Sequence, residues 1–251
     1  MTVHFPLDYP PWRPVEPDRP VQRLDVTGRR TWVVGDIHGM YDQLQHDLDA
    51  VGFDPGRGDR LIAVGDLIDR GPRSDLALDW LSRDDFKSVR GNHDEFVVDA
   101  VLHDDLDVRR EAWDVWMANG GAWARSWLES GDKRLRKLAK AIRALPIALD
   151  VRWGDRRFGI VHGNVPETVT WDAFLALLES GDPAAHAQAI WGRSRAMQLQ
   201  SGHQLEPIEG LDRLFHGHTP LPRPMLSGNT HFIDTGAVYG KELTLVALHE
   251  L

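Results

Sequence analysis

The chain contains no cysteine among its 251 residues, which excludes disulfide bonds, zinc–thiolate sites and iron–sulfur clusters. Its first residues lack the basic and apolar segments of a secretory signal, and no apolar run approaches the ~18 residues of a membrane span. Acidic residues outnumber basic residues by 38 to 29, and the formal charge of −9 disfavours binding to nucleic acid or anionic membranes. These absences predict a cytoplasmic protein with no nucleic-acid or membrane partner.

The composition that remains is that of a globular protein. Apolar residues make up 42% and charged residues 27%, so the chain can bury a sizeable core beneath an ordinary polar surface. Its length fits one large domain or two small ones. Without thiolates, a metal ion would have to bind imidazole, carboxylate, amide or water, a ligand set that suits Mn²⁺, Fe or Zn²⁺.

Residues 1–30 are predicted to form a proline-rich N-terminal arm that precedes the main domain, residues 31–251. Proline opposes both helix formation and strand pairing. The six prolines of the arm are Pro6, Pro10, Pro11, Pro14, Pro17 and Pro20. A tail packed loosely on the surface is the favoured interpretation, and a segment that docks a partner or inhibits the protein is the alternative.

From residue 31, short apolar runs alternate with helical patterns in the rhythm of an α/β fold. Predicted strands at Thr31–Val34, Arg60–Val64 and Phe86–Val89 are each followed by a Gly-Asp or Gly-Asn pair. Polar residues in that position point to the sheet edge at which such folds bind ligands. The other predicted strands are Ile147–Val151, Arg157–Val161, Leu211–Phe215, His231–Asp234 and Leu243–Leu248. The predicted helices around them are Tyr41–Val51, Ser74–Leu81 with Ser74 as its cap, Trp171–Leu178 and Pro183–Ile190.

Residues 95–145 lack strand signals and are predicted to be a helical insertion. Four tryptophans there follow helical spacing, which favours a packed core over a platform for a ligand. They are Trp113, Trp116, Trp123 and Trp127. Within the insertion, Lys133–Arg143 carries six basic residues around an apolar stripe. An amphipathic helix with a solvated basic face is favoured there over a docking patch for acidic or phosphorylated partners.

Five short motifs place metal-binding residue types directly after predicted strands. In chain order they are Gly35-Asp36-Ile37-His38-Gly39, Gly65-Asp66-Leu67-Ile68-Asp69-Arg70-Gly71, Gly91-Asn92-His93-Asp94, Val161-His162-Gly163 and Gly217-His218-Thr219. One such motif alone is a weak signal, because Gly-Asp and Gly-His pairs are common in turns. Five in a fixed order, each after a strand, favour one shared site.

The residue types of these motifs suit a pair of divalent cations. Asp36 and His38 lie on one side of a turn and could bind one cation. Asp66 has two carboxylate oxygens and could bridge two cations about 3.5–4 Å apart. The second cation would then be completed by Asn92, His162 and His218. Water held between two such ions is deprotonated near neutral pH and becomes a nucleophile.

Four further residues are candidates for handling phosphate and protons. Arg70 and Arg193 are candidate phosphate clamps, because a guanidinium can donate two parallel hydrogen bonds to phosphate oxygens. His93 is predicted to be the general acid that protonates the leaving oxygen, and Asp69 to orient its imidazole. His216 could either line the site or simply end a strand. The histidines outside the motifs are assigned surface or core roles.

These motifs, together with Ile190-Trp191-Gly192-Arg193 and the stretch 232–238, resemble the calcineurin-like metallophosphoesterases. Within them the chain is similar to the lambda-type serine/threonine phosphatases of the phosphoprotein phosphatase superfamily. The resemblance implies a four-layer α/β (α+β) fold, a β-sandwich of two mixed sheets flanked by helices, with residues 31–251 as its catalytic domain. It also implies Mn²⁺ in both metal sites, the same ligands, clamps and acid pair, and in-line attack on phosphorus by a metal-bridging hydroxide. Asp94, where the family often has glutamate, is a departure.

Three functions are compatible with these residues. The favoured hypothesis is a metal-dependent protein phosphatase that removes phosphate from phosphoserine or phosphothreonine, so that its partner is a phosphorylated protein or a small phosphoester. The second is a diadenosine-polyphosphate (bis(5'-nucleosyl)-tetraphosphate) hydrolase. A scaffold that keeps the fold without activity is the third, and the intact Asp36, Arg70, Asn92 and His93 oppose it.

Overall fold

The computed structural model of the chain describes residues 9–251. Predictions that concern residues 1–8, including His4, Pro6 and the expected lack of a signal segment, lie outside the described residues. The strands are β1 (Val21–Asp25), β2 (Thr31–Val34), β3 (Arg60–Ala63), β4 (Phe86–Ser88), β5 (Ala148–Trp153), β6 (Arg156–Val161), β7 (Arg213–His216), β8 (Met225–Ser227), β9 (Thr230–Phe232) and β10 (Leu245–Ala247). The α-helices are α1 (Tyr41–Ala50), α2 (Ala77–Leu81), α3 (Asn92–Leu102), α4 (Leu106–Ala118), α5 (Arg125–Glu129), α6 (Lys133–Arg143), α7 (Trp171–Glu179), α8 (Pro183–Trp191) and α9 (Ser194–Gln200).

The strands form two mixed sheets, as the family resemblance implies. The larger sheet has the order β1-β5-β6-β7-β9-β8, and the smaller has the order β10-β2-β3-β4. In the smaller sheet β2, β3 and β4 are parallel, and β10 runs antiparallel to β2. In the larger sheet β5 and β6 form an antiparallel hairpin, while β6, β7 and β9 are parallel. Parallel strands end at the same edge of a sheet, so the loops that follow them lie close together.

Strand residues alternate between two apolar cores. Val33 and Ile62 of the smaller sheet share a core with Phe158 and Phe215 of the larger sheet. The residues on either side of them in sequence belong instead to the core shared with the helices: Trp32, Val34, Leu61 and Ala63. Both faces of these strands are therefore covered, which explains why their sequences are apolar without alternation. The layers are helix, sheet, sheet and helix.

The helical insertion is present, with two local differences from the prediction. Its first helix, α3, begins at Asn92, inside the third motif, and not at residue 95. Ser74 does not cap a helix: a short 3-10 turn, Ser74–Leu76, precedes α2, and the Ser74 hydroxyl accepts the N–H of Asp69 at 2.8 Å. The predicted amphipathic helix α6 buries its apolar residues and exposes its basic ones.

Residues 21–25, which the sequence places in the arm, form the edge strand β1. This strand pairs in parallel with β5, with Val21 opposite Ala148. Pro20 is the last proline of the arm, so every backbone N–H from Val21 onward can join a ladder. The expectation that the arm avoids strand pairing is wrong for β1, and the division into an arm and a main domain otherwise stays a prediction. The short β8 and α9 are additions that the sequence pattern does not signal.

None of the helices within residues 9–251 combines the length and the apolar character that crossing a membrane demands.

Candidate metal centre

The polar residues that follow the strands meet where the two sheets come together. Asp36, Asp66 and Asn92 follow β2, β3 and β4 of the smaller sheet, while His162 and His218 follow β6 and β7 of the larger sheet. Each of these residues, and His38 with them, is at most 6% exposed. The structure therefore brings all six predicted metal ligands into one buried cluster.

Asp66 lies at the centre of this cluster. Its two carboxylate oxygens point to different imidazoles, with Oδ1 at 3.3 Å from His162 Nε2 and Oδ2 at 3.3 Å from His38 Nε2. Asn92 Oδ1 lies 3.0 Å from His162 Nε2 and 2.8 Å from His218 Nδ1. A carboxylate shared in this way is the arrangement that a bridging ligand requires.

Two groups of donor atoms share the Asp66 carboxylate. One comprises Asp36, Asp66 and His162, the other His38, Asp66 and His93, and the donor atoms of each group lie within 4.8 Å of one another. The second group shows that distance alone would admit His93 as a ligand. Its Nδ1, however, lies 2.8 Å from Asp69 Oδ2, so one of its nitrogens has another partner.

The three imidazoles of the cluster are held in the form that binds metal ions. Each places one ring nitrogen against a backbone carbonyl, which can only accept a hydrogen bond, so the other nitrogen presents its lone pair to the cluster. The pairs are His38 Nδ1 with Ile68 O at 2.9 Å, His162 Nδ1 with Val64 O at 2.8 Å and His218 Nε2 with Trp191 O at 3.2 Å. Burial also lowers the pKa of His38 to about 3 and that of His218 well below its usual range. Burial alone would lower the pKa of His162, but the carboxylate of Asp66 outweighs it and raises the pKa, so a cation there would take the place of a proton.

The carboxylates of the cluster are crowded and buried. Burial, followed by the charges of Asp234 and Asp66, raises the pKa of Asp36 well above its usual value. Burial also raises the pKa of Asp234 to about 6. Negative charges in such surroundings are costly unless cations lie beside them. Together with the three imidazoles, these carboxylates form a donor set that fits two divalent cations.

Backbone strain is concentrated at the same residues. Within residues 9–251, five residues other than glycine adopt positive φ, and each is a predicted site residue. They are His38 at 44°, Asp66 at 49°, Asp69 at 75°, Arg70 at 67° and His218 at 66°. Each such residue costs on the order of 1–3 kcal/mol and persists only where its surroundings impose the conformation. The fold thus accepts strain at the residues that form the candidate site.

Two glycines of the motifs are required by close approach. A Cβ atom at Gly91 would lie 2.2 Å from Asp66 Oδ1, and one at Gly217 would lie 2.0 Å from Asp36 Oδ1. The glycine before Asn92 and the glycine before His218 therefore make room for carboxylates from other loops. Asp94 completes the packing, because its carboxylate accepts the backbone N–H groups of Gly91 at 2.9 Å and Leu67 at 3.0 Å.

His93 and Asp69 form a buried pair beside the cluster. His93 Nδ1 lies 2.8 Å from Asp69 Oδ2, and the His93 backbone N–H donates to Asp66 Oδ1 at 2.9 Å. The indole N–H groups of Trp116 and Trp123 both donate to the Asp69 carboxylate, at 2.9 and 2.8 Å. The sequence correctly predicts Trp116 as a buried core residue but misses that these two tryptophans hold Asp69 in place.

If His93 is the general acid that the sequence predicts, replacing Trp123 with phenylalanine should lower kcat for phosphoester hydrolysis by roughly tenfold. A hydrogen bond to a charged group contributes about 1.5–3 kcal/mol, and Trp116 would still donate to Asp69 after the change. Steady-state kinetics with metal analysis would measure it, and metal content should stay constant. Trp127→Phe is the matched control, because it trims the same aromatic cluster without removing a donor to Asp69. Equal losses in both variants would mean that Trp123 acts through packing alone.

The two predicted phosphate clamps lie at the mouth of the site. Arg70 is exposed and Arg193 half-buried, in contrast to the buried cluster behind them. Arg70 donates to His38 Nε2 at 3.0 Å, and Arg193 donates to the carbonyl of His218 at 2.9 Å. Both line a cavity of about 420 Å³ that also reaches Asn92 and His93. A phosphate entering this cavity would meet both guanidinium groups.

His216 lies outside this arrangement. It is the last residue of β7, and its ring stacks on Phe232 with 5.4 Å between centroids. Burial lowers its pKa to about 3. Of the two interpretations that the sequence leaves open, the end of a strand is the one that the structure supports.

A second buried group of charges lies behind α3. Glu95 of this helix accepts a hydrogen bond from His186 of α8 at 2.5 Å and lies 3.8 Å from Arg90. Glu16 of the arm lies 3.6 Å from the other ring nitrogen of His186. Burial alone would lower the pKa of His186, but the two carboxylates outweigh it and raise the pKa to about 9.

This pKa predicts a stability difference that depends on pH. Because the pKa of His186 is higher in the folded chain than the ordinary value of 6.5, its charge stabilises the fold fully below pH 6.5, and the effect is lost as pH rises through about 9. Relative to His186→Gln, the native chain should unfold with a free energy higher by on the order of 3 kcal/mol at pH 6. Urea unfolding at pH 6 and pH 10 would measure the change. A difference independent of pH would contradict it, and His46→Gln at an exposed position of α1 is the control.

Comparison with known proteins places the chain in a family. The sequence model of the calcineurin-like phosphoesterases matches residues 29–234. The chain is 35% identical over 236 residues to serine/threonine-protein phosphatase 1 of Salmonella typhimurium, covering 93% of this chain and 99% of that protein. It is 26% identical over 260 residues to the symmetrical bis(5'-nucleosyl)-tetraphosphatase of Pseudomonas fluorescens, covering 86% and 87%.

A solved structure of a proposed diadenosine tetraphosphatase shares the fold, with a TM-score of 0.59 at 22% identity, covering 90% of this chain and 92% of that one. The family model and the Salmonella relative each cover most of the chain, and the buried Asp, Asn and His cluster supplies the donors that hydrolysis of a phosphoester with metal ions requires. The chain therefore belongs to the calcineurin-like phosphoesterase family and is a phosphoester hydrolase.

Proposed function

We propose that this hydrolase is a Mn²⁺-dependent protein phosphatase of the cytoplasm that acts on phosphoserine and phosphothreonine. The observation that carries the proposal is one continuous arrangement of a buried donor set, the His93–Asp69 pair and the two arginines at the mouth. The similarity to serine/threonine-protein phosphatase 1 of Salmonella typhimurium extends over 99% of that protein and supports this choice of substrate.

The proposed ligand roles are those that the sequence motifs and the family resemblance imply. Asp36, His38 and Asp66 would hold one cation. Asp66 would also contribute to the second, together with Asn92, His162 and His218. When bound, the two cations would stabilise the charge that develops on phosphate and supply a nucleophilic hydroxide at neutral pH.

The remaining steps belong to side chains of this chain. Arg70 and Arg193 would hold two phosphate oxygens and orient the phosphorus for in-line attack. As the bond between phosphorus and the serine or threonine oxygen breaks, the electron pair stays on that oxygen, and His93 would donate the proton that it takes up. Asp69, fixed by two indole N–H groups, would keep the His93 ring in position and stabilise its charged form.

The test is phosphate release from phosphoserine and phosphothreonine peptides by the purified chain. After chelation, release should be lost, and added Mn²⁺ should restore it. The same preparation is given a symmetrical dinucleoside tetraphosphate as competitor substrate. Metal-independent release, or a kcat/KM far higher for the dinucleotide than for either peptide, would overturn the proposal.

One observation favours the dinucleotide as a second candidate. Tyr239 is 60% exposed, and the Arg70 guanidinium lies 5.9 Å from its ring, so an aromatic face stands beside a phosphate clamp. Aromatic faces stack on nucleobases. Under this alternative, Tyr239→Ala would raise KM for the dinucleotide, whereas a protein phosphatase would show little change with a peptide.

A further inference from the structure

The N-terminal arm forms one wall of the cavity in front of the catalytic residues. Tyr9, Pro10, Pro11 and Trp12 line the same cavity of about 420 Å³ as His93 and the two arginines. These four residues precede residues 29–234, the part of the chain that the family model matches. The wall therefore lies outside the residues that the family model matches, and none of the steps described above uses it.

The arm is fastened to α3, the helix that carries Asn92 and His93. The indole N–H of Trp12 donates to Asp99 Oδ2 at 2.8 Å, and the backbone N–H of Val15 donates to Asp99 Oδ1 at 2.8 Å. The buried Arg90 donates to the carbonyl of Val15 at 2.8 Å. Trp12 itself is only 8% exposed. These contacts are buried and specific, unlike those of a loosely packed tail, so the wall has a defined position relative to His93.

The chemistry of the cavity changes between its two ends. At the inner end lie the side chains proposed to hold phosphate and to supply a proton. At the end formed by the arm the lining includes Pro10, Pro11 and Trp12, whereas the rings of Phe96 and Trp191 lie against His93 and His218. Among the described residues 9–251, the fully charged side chains of the lining are Arg70 and Arg193, which phosphate would occupy. A negatively charged group attached to the phosphoryl group would find no further cationic partner among these lining residues, whereas an apolar group would bury surface against the arm.

We propose that Tyr9–Trp12 is a specificity-determining wall that selects phosphopeptides with a bulky apolar residue beside the phosphorylated one. This inference rests on the proposed protein phosphatase function and specifies its substrate class. The proline rings hold the wall rigid, so little conformational freedom is lost when an apolar side chain packs on it. The wall acts on binding of the peptide and leaves the proton transfer to His93.

Two phosphoserine peptides, identical except that both flanking residues are leucine in one and aspartate in the other, test this directly. The native chain should have a higher kcat/KM for the leucine peptide. The double variant Pro10→Ala, Pro11→Ala should lower that preference by about tenfold, mainly through KM, because it removes apolar ring surface. Trp12→Phe, which keeps an aromatic side chain but loses the bond to Asp99, should lower the preference in the same direction. Arg19→Ala, exposed on the same arm and outside the cavity, is the control.

Inhibition by inorganic phosphate distinguishes a loss of the wall's function from general damage to the active site, because phosphate would bind only at the inner end of the cavity. Its inhibition constant and the metal content should stay constant in both arm variants. An unchanged leucine preference, or a rise in kcat/KM for both peptides alike as expected of an inhibitory segment, would overturn the inference while leaving the phosphatase function in place. Failure of the native chain to release phosphate from either peptide, with rapid turnover of the dinucleotide, would instead overturn the proposed function and this inference with it.

Discussion

Replacing His93 with asparagine should lower kcat for a phosphoserine peptide by about 10²–10⁴-fold, the range expected on removal of a general acid. The loss should be much smaller for p-nitrophenyl phosphate. A serine alkoxide is a poor leaving group that needs a proton as the bond breaks, whereas p-nitrophenolate leaves without one. The structure places His93 Nδ1 2.8 Å from Asp69 Oδ2, at the edge of the cluster of predicted metal ligands, where a proton could be delivered to the departing oxygen.

The comparison between the two substrates makes this prediction specific. Steady-state kinetics for both would be measured on enzyme loaded with Mn²⁺, with metal content determined on the same samples. His46→Asn, an exposed position on α1, is the control and should change neither rate. If His93→Asn slowed both substrates equally, or if it removed metal, His93 would be a ligand, which is the other role that its distance to Asp66 permits.

The residues of the cluster could be predicted from sequence because each motif depends only on residues that are neighbours in the chain. A strand ends, a glycine permits close approach, and a polar side chain follows within a few residues, as at Gly91 before Asn92. The parallel strands then carry these side chains to one edge without any need to know the packing of the helices. Strands β2, β3 and β4 start where the apolar runs start, so the edge itself could also be located.

What the sequence did not reveal depends on contacts between distant residues. Trp116 and Trp123 lie 47 and 54 positions from Asp69, and helical spacing indicates only that they are buried, not which acceptor their N–H groups reach. The same holds for Trp12, whose partner Asp99 is 87 positions away. Proline content correctly predicts that the described part of the arm, from Tyr9 to Pro20, has no helix or strand. It carries no information about which surface the arm covers, and for that reason the cavity wall was missed.

The last prediction concerns the contribution of Asp66 to metal binding. The change Asp66→Asn keeps the size of the side chain but removes the carboxylate that both donor groups share. The number of metal ions per chain after dialysis should fall from two to one or none. The value of kcat should fall at least about 10³-fold, because a cation contributes several kcal/mol of charge stabilisation and each 1.36 kcal/mol is tenfold in rate. Asp79→Asn on the exposed face of α2 is the matched control.

A second readout for Asp66→Asn does not depend on activity. Ligands that bind only the folded state raise Tm with concentration, so Mn²⁺ should stabilise the native chain and have a much smaller effect on the variant. The control Asp79→Asn should respond to Mn²⁺ as the native chain does. If Asp66→Asn retained two metal ions and the full Mn²⁺-dependent rise in Tm, the shared carboxylate would not bridge the cations. The five strained backbone positions around the cluster would then need another explanation.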